Sequence, residues 1–418
     1  MEYLQPILGF FGLLLLGAVF SENIKAIKIK YLVSAVVIQV VLAYMLINLP
    51  IISSFFEYLS YGVTTLKDAN DYGTAFVFGY LADGAPNAPF EISNEANTFI
   101  FAFGGLTLII VMSAISALLW HWRVIPVLVN ALAIIFKKPL DVGGPVGLSA
   151  TANIFLGQVE APLLVRPYLA TMSKNELLIL MTVGMSTIAG SVMVIYTTML
   201  APIYGLGLIG HFLTASLISV PAAIMYANMM IPSDTKTDFP ADDSSKMYSS
   251  TMDALTRGTQ SGIDIFLNVA AMLIVVMALV FLVNAMLGVF PDIQGQPLTM
   301  ERIVGWIFAP LAWCMGIPWQ ESQAAGELLG VKTILNEFVA YIYLADTSTY
   351  VLSEKSSLIM LYALCGFANF SSVGILLSGM SAMVPERRED LIAVSLKALW
   401  GALLASCMTG FIVGILYL

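Results

Sequence analysis

Two carboxylates, Glu160 and Glu337, sit in stretches of this sequence that otherwise suit the interior of a lipid bilayer. An acid at bilayer depth costs about 2.5 to 3.5 kcal/mol on insertion scales, so it marks a place where a substrate, an ion or a proton is handled. Glu160 lies in GQVEAP, with Arg166 six residues on as a neutralising partner, or a hairpin helix to cap. Near Glu337 the only base in the local apolar segment is Lys332, five residues back, whose side chain is long enough to reach the interface. Glu321 and Glu327 are weaker candidates, because they suit the flanks of a hairpin tip. Where Gly and Pro stop a helix at membrane depth, free carbonyl oxygens suit a small hard cation. Asn153 and Thr187 could add side-chain oxygens there to the carbonyls of Leu156 and Ile188. Asn and Thr at that depth more often hydrogen-bond a neighbouring helix.

The elements that must hold these groups are long and apolar. Of 418 residues 59% are hydrophobic and 11% charged, against roughly a quarter charged in a soluble domain. Apolar runs near the ~20 residues needed per helical span occur at 4–20, 31–52, 99–120, 176–203, 207–232, 263–290, 356–382 and 391–417. The run at 4–20 lacks a basic flank and a cleavage site, so it reads as a first span rather than a signal peptide. Between the second and third spans, Glu57, Asp68, Asp71, Asp83, Glu91 and Glu95 face one base, Lys67, in what reads as an interfacial helix and a loop. The Ser/Asp-rich segment Asp234 to Gly258 has the composition of a mobile connector between two halves.

Two further apolar regions, 141–170 and 303–335, are broken by GQVEAP and by MGIPWQES and read as re-entrant hairpins. Basic residues cluster at Lys25, Lys28 and Lys30; at Arg123, Lys137 and Lys138; at Lys236, Lys246 and Arg257; and at Arg387 with Arg388. If the first interrupted region enters and leaves on one side, all four clusters become cytoplasmic, as the positive-inside rule requires, and both termini lie outside. A weak repeat, MSKNELLILMTVGMSTIAGS at 172–191 and LSEKSSLIMLYALCGFANFSS at 352–372, points to two halves of inverted topology. Such repeats place substrate and ion sites near the midplane at discontinuous helices. The fold class is therefore an all-α integral membrane protein, with eight transmembrane helices and two re-entrant helical hairpins.

Other chemistries lack their residues. Cys314, Cys365 and Cys407 have no paired spacing, so neither a disulfide framework nor a zinc site is indicated. A net charge of -9 without a basic cluster argues against nucleic acid as a partner. GLGLIG at 205–210 fits a dinucleotide-binding pattern but joins two apolar spans, where it reads as a turn. His121 and His211 do not form a metalloprotease motif, and no nucleotide-binding P-loop is present. Any uphill transport must draw on an ion gradient or a separate subunit, and no enzyme is indicated.

ANIFLGQVEAPLLVRP at 152–167, STIAGS at 186–191, NEFVAY at 336–341 and CGFANFSSVGIL at 365–376 resemble the signature segments of concentrative nucleoside transporters. The overall plan is similar to that of the family's bacterial members, which places the chain in a bacterial inner membrane. The resemblance implies a homotrimer whose hairpins and broken helices form a mobile domain moving elevator-fashion against a scaffold. It divides the chain into scaffold helices with an interfacial segment (1–140), a first hairpin and broken helix (141–203), connecting and scaffold helices (204–302), a second hairpin and broken helix (303–382) and a C-terminal helix (383–418). It puts base-binding positions at Gln158, Val159 and Glu160, and ribose-binding positions at Glu337, Asn369 and Ser372. Phe367 matches an aromatic that packs on the nucleoside, a residue that in isolation reads as core packing. Where the family pattern has a hydroxyl-bearing residue, this chain has Val159, which leaves purine against pyrimidine preference open. Asn153 and Thr187, with the Leu156 and Ile188 carbonyls, match the sodium-binding pattern. The expectation is a sodium-coupled symporter for nucleosides such as uridine, cytidine or adenosine. The alternatives are proton coupling in the same fold, or a hairpin-type carrier of another small polar solute.

Overall fold

The computed structural model describes residues 4–82, 100–137, 139–205, 207–238, 247–293 and 295–417. Asp83, Glu91, Glu95, Lys138, Lys246 and much of the Asp234 to Gly258 segment's acidic middle lie outside the described residues. Among the described residues the regular structure is helical, apart from one isolated bridge between Ile293 and Gln296.

In the first two helices most of the residues facing their neighbours are small, and large apolar ones face outward. In α1 (Leu4–Ala18) the buried residues are Gly9, Leu13 and Gly17, and in α2 (Ile29–Asn48) they are Ala35, Gln39 and Ala43. Leu4, Leu8, Phe11 and Leu15, and likewise Val33, Val37, Val41 and Tyr44, are exposed on the opposite sides. Close packing through small residues with bulky apolar groups outside is how helices associate in lipid. The acid-rich stretch after α2 begins as a continuous helix, α3 (Pro50–Phe78), so the second span stops at Asn48 and Pro50 starts a new helix. A short α4 (Phe101–Gly104) leads into α5 (Leu108–His121), and α6 (Val124–Lys137) follows.

From there the same order of elements occurs twice. In the first half, α7 (Gly144–Ala152) runs to a break at 153–159, and two helical turns, α8 (Glu160–Leu163) and α9 (Arg166–Leu169), lead back. A broken helix follows, α10 (Lys174–Ser186) and α11 (Gly190–Tyr204), interrupted at Thr187 to Ala189. Then come α12 (Leu208–Met230) and the 37-residue α13 (Thr251–Leu287). In the second half α14 (Met300–Cys314) precedes α15 (Trp319–Ile334), and after a break at Leu335 and Asn336 the chain returns as α16 (Glu337–Ala345). The second broken helix is α17 (Glu354–Leu364) and α18 (Phe370–Met383), and α19 (Arg388–Leu416) ends the fold. Helices α10, α12 and α19 pack on one another as the buried core.

The two halves start from opposite faces of the bundle. Lys28 pairs with Asp234 and Lys236 with Asp141, while the Glu176 carboxylate accepts from the Thr237 N–H at 2.7 Å. Arg387 donates to the carbonyls of Ala170 and Met172 at 2.8 and 2.6 Å. Both ends of the 141–172 segment therefore meet residues 236–237 or Arg387 on one face, which gathers members of three of the basic clusters. At the other end of the bundle, Glu321 accepts from the Ser353 N–H and Oγ at 3.1 and 2.9 Å. Nearby, the Tyr417 hydroxyl donates to Glu354 and Gln5 donates to the Ile317 carbonyl. The segment between Glu321 and Ser353 thus leaves and returns to this second face.

Four expectations change. The Gly/Pro turn MGIP lies beside Gln5 on the second face, where α14 and α15 fold on each other at 117°; the inward reversal falls at Leu335 and Asn336 instead. The second interrupted region consequently runs from Trp319 to Ala345, rather than 303–335. The polar connector is shorter than its composition suggests, because Ser250 caps α13 by accepting the Asp253 N–H at 3.1 Å and residues 251–258 are helical. Lys332 does not reach the interface but is wholly buried. By length and apolarity six helices among the described residues qualify to cross a membrane, or seven if α14 and α15 count as one span. The eight-span reading adds α1, which has 15 residues, and the broken pair α17 and α18. Of GLGLIG, Leu208 to Gly210 already belong to α12, while Gly205 and Gly207, at φ +82° and +103°, lie between α11 and α12 in backbone that favours glycine.

Candidate functional site

The two reversals and the two helix breaks converge. Phe155, at the first reversal, accepts the Gly190 N–H at 3.3 Å, and the Phe367 N–H donates to the Thr187 carbonyl at 3.4 Å. Gly366, at φ +134°, lies so close to the Ser186 carbonyl that a β-carbon would stand 2.8 Å from its oxygen. That contact joins the two broken helices, and only glycine suits it. Beside this junction is a cavity of about 390 Å³, within the range of small-molecule sites. A separate recess near Lys28 and Asp141 has about 50 Å³ and is too small for such a ligand.

All seven residues expected at the substrate line the larger cavity: Gln158, Val159 and Glu160 from the first reversal, Glu337 from the second, and Phe367, Asn369 and Ser372 from the second break. Glu160 and Glu337 occupy matching positions, each the first residue of a returning helical segment. Asn336 sets this up in the second half by capping α16, its Oδ1 accepting the Val339 N–H at 2.9 Å. Glu337 is 5% exposed and both its oxygens are engaged. The Tyr196 hydroxyl donates to Oε1 at 2.6 Å and Asn369 Nδ2 donates to Oε2 at 2.9 Å. Asn369 is itself oriented, because its Oδ1 caps α18 by accepting the Ser372 N–H at 2.7 Å, which turns Nδ2 toward Glu337. Gln158 is held differently: its Oε1 is buried and, among the described residues, meets no donor. A buried acceptor left unpaired costs about 1 to 3 kcal/mol, so such an atom suits a ligand's donor.

Glu160 makes no salt bridge among the described residues, and Arg166 is exposed, so the neutralising pair does not form. The Glu160 carboxylate instead lies over Gly157, whose missing side chain leaves it room. Val159 packs against Gly379 of α18 in the space a side chain there would occupy. Glu321 is spent on Ser353 at the second face, and Glu327 packs on Gly305 and accepts from Gln323 at 3.3 Å; neither lines the cavity.

The expected ion ligands lie together beside the cavity. Asn153 Nδ2 donates to the Val183 carbonyl at 3.0 Å and to Thr187 Oγ1 at 2.8 Å. Asn153 Oδ1 is buried and meets no donor among the described residues. Leu156 and Ile188 are also buried, in the unwound segments that follow Asn153 and Thr187. An orphaned amide oxygen among unwound backbone fits a small hard cation, which takes oxygen ligands.

Sequence reasoning missed Tyr196 and the α13 wall of the cavity, formed by Ser261, Asp264 and Asn268. Tyr196 gave no signal, being one aromatic in an apolar span, yet its ring packs on Phe338 and Tyr341 and so aims its hydroxyl. Asp264 and Asn268 did give one: two polar residues four apart in an apolar helix share a face. Tyr196→Phe is expected to raise the substrate concentration for half-maximal uptake about tenfold, the worth of one hydrogen bond to a charged group. Kinetics of labelled substrate uptake would check it.

Apolar helices around a cavity lined by carboxylate and amide groups are the architecture of a multi-pass membrane transporter. The chain belongs to the Na+ dependent nucleoside transporter family: the model of that family's C-terminus matches residues 211–414, its N-terminus residues 8–81, and a nucleoside recognition model residues 102–203. It is 34% identical to nucleoside permease NupC of Helicobacter pylori, over 99% of this chain and 97% of that one. With human solute carrier family 28 member 3 it shares 33% over 86% of this chain and 52% of the human protein. The structure of CNTnw in an inward-facing substrate-bound state superimposes with a TM-score of 0.89 at 32% identity, covering 99% of this chain and 98% of CNTnw. A doubly substituted CNTnw in an outward-facing state superimposes equally well, with a TM-score of 0.89 at 31% identity, covering 100% of this chain and 98% of that one.

Proposed function

We propose that the chain is a sodium-coupled symporter that takes up nucleosides and leaves them chemically unaltered. The observation that carries this reading is Glu337, a buried carboxylate fixed by Tyr196 and Asn369 at the point where both reversals meet. A carboxylate has about four acceptor sites. With two taken by Tyr196 and Asn369, the others are available to the adjacent hydroxyls of a ribose, with Ser372 beside them. Gln158, with its unpaired Oε1 and its amide N–H groups, both accepts and donates, as a nucleobase edge requires. Val159 and Glu160 complete the base side, and Phe367 supplies an apolar surface for the nucleoside.

Sodium binds at Asn153 and Thr187 with the Leu156 and Ile188 carbonyls, one shell removed from the substrate. Its arrival orders the first reversal and the α10–α11 break, the elements that present Gln158 and Glu160, and this couples ion to nucleoside. The two interrupted segments are re-entrant hairpins opening to opposite sides. Together with α10–α11 and α17–α18 they move as one elevator-like unit against α13 and the outer helices. The basic face is cytoplasmic, both termini are extracytoplasmic, and three chains assemble in the bacterial inner membrane. Competition against labelled uridine uptake in cells tests the substrate class. Nucleosides are expected to compete while carboxylates and amino acids do not; competition by an acid, with unlabelled nucleosides inert, would overturn the assignment.

A further inference from the structure

Lys332 is a lysine without exposed surface, on α15 five residues before Glu337. Its Nζ donates to the Ala363 carbonyl at 2.8 Å, and among the described residues it forms no salt bridge. An ammonium so deeply buried needs a reason, because taking it out of water is costly and a single carbonyl repays little of that. Flexible four-carbon stems let such a group act as a point charge placed away from its own helix.

The internal repeat supplies the reason. Ser173 caps α10 and Ser353 caps α17, and the carbonyls ten residues beyond them are those of Val183 and Ala363. The Val183 carbonyl receives Asn153, from the segment leading to the first reversal; the Ala363 carbonyl receives Lys332, from the segment leading to the second. Each carbonyl lies just ahead of its helix break, at Thr187 and at Cys365. One half thus has an amide with an unpaired oxygen at this place, and the other has a fixed positive charge.

We infer that the Lys332 ammonium is a tethered cation that fills, in the second half, the place an exchangeable ion takes in the first. The chain therefore carries one coupling cation per nucleoside, and the second half is permanently in its ion-loaded form. This rests on the ion site proposed at Asn153 and Thr187.

Charge moved per nucleoside in proteoliposomes under a clamped membrane potential tests it, since that ratio counts ions whatever their identity. The wild-type ratio is expected to be about one. Lys332→Gln, which removes the charge and offers an amide oxygen, is expected to admit a second ion, raising the ratio to about two and the sodium Hill coefficient from about one to about two. Lys332→Arg is expected to keep the wild-type values. A wild-type ratio of two would overturn the inference, as would a transporting Lys332→Gln variant with a ratio of one. If Lys332→Gln does not fold, Lys332→Asn is read the same way, and a wild-type ratio of two overturns the inference whether or not either variant folds. A wild-type ratio of zero would instead overturn ion coupling itself, an outcome distinct from a ratio of two.

Discussion

Glu337→Gln is expected to lower uridine uptake about a hundredfold while the protein still folds and reaches the membrane. The amide can keep the local frame: its oxygen can accept from Asn369 Nδ2, and its NH2 can donate to the Tyr196 hydroxyl, which then turns. What it loses is acceptor capacity toward the cavity, and with it the charge that strengthens hydrogen bonds to a ribose. Two hydrogen bonds to a charged group, each weakened by about 1.5 kcal/mol, give roughly this factor. Uridine uptake kinetics and uridine-induced thermal stabilisation of the purified variant would both register the loss. Near-normal values of both would remove Glu337 from the substrate site.

Asn153→Ala is expected to raise the sodium concentration for half-maximal uptake about tenfold or more, with maximal uptake at saturating sodium largely retained. The side chain offers the one buried oxygen beside Thr187 that no protein donor among the described residues satisfies, so its removal takes away an ion ligand; of the two acceptors its amide serves, Thr187 Oγ1 loses its donor. The Val183 carbonyl still receives Thr187 Oγ1 at 3.2 Å. A weakened ligand set worth about 1.4 kcal/mol corresponds to the tenfold shift. Sodium titration of uridine uptake measures it directly, and an unchanged titration would place the ion elsewhere.

Much of the site was legible because polar groups are conspicuous in apolar surroundings. Gln158, Glu160, Glu337 and Asn369 stand out against a chain that is 59% hydrophobic, and the structure gathers all of them around one cavity. Their connection to particular turns was less legible. Gly316 and Pro318 signal a reversal strongly, yet that turn is a surface feature, while the reversal that matters is made by Leu335 and Asn336 with no Gly or Pro. The signal there was the helix cap: Asn336 followed by a carboxylate at the first helical position favours a helix start, through capping and the helix dipole.

That shift changes the standing of the two carboxylates. Sequence spacing made Glu160 a tip residue and Glu337 a residue following a hairpin, whereas the structure gives both the same position in their halves. Their surroundings then differ: Glu337 has Tyr196 and Asn369, and Glu160 has neither, since the residue matching Asn369 at the start of α11 is Ala189, which makes no side-chain cap. Tyr196 and Lys332 were the least legible, because each acts through the reach of a long side chain across helices, a contact that no local pattern records.

Accumulation of labelled uridine in proteoliposomes, driven by an inward sodium gradient or by an inward proton gradient with sodium replaced by choline, tests the central claim most directly. Transient accumulation above equilibrium is expected with the sodium gradient and none with the proton gradient alone. Equal accumulation in choline, or equilibration without overshoot under the sodium gradient, would contradict it.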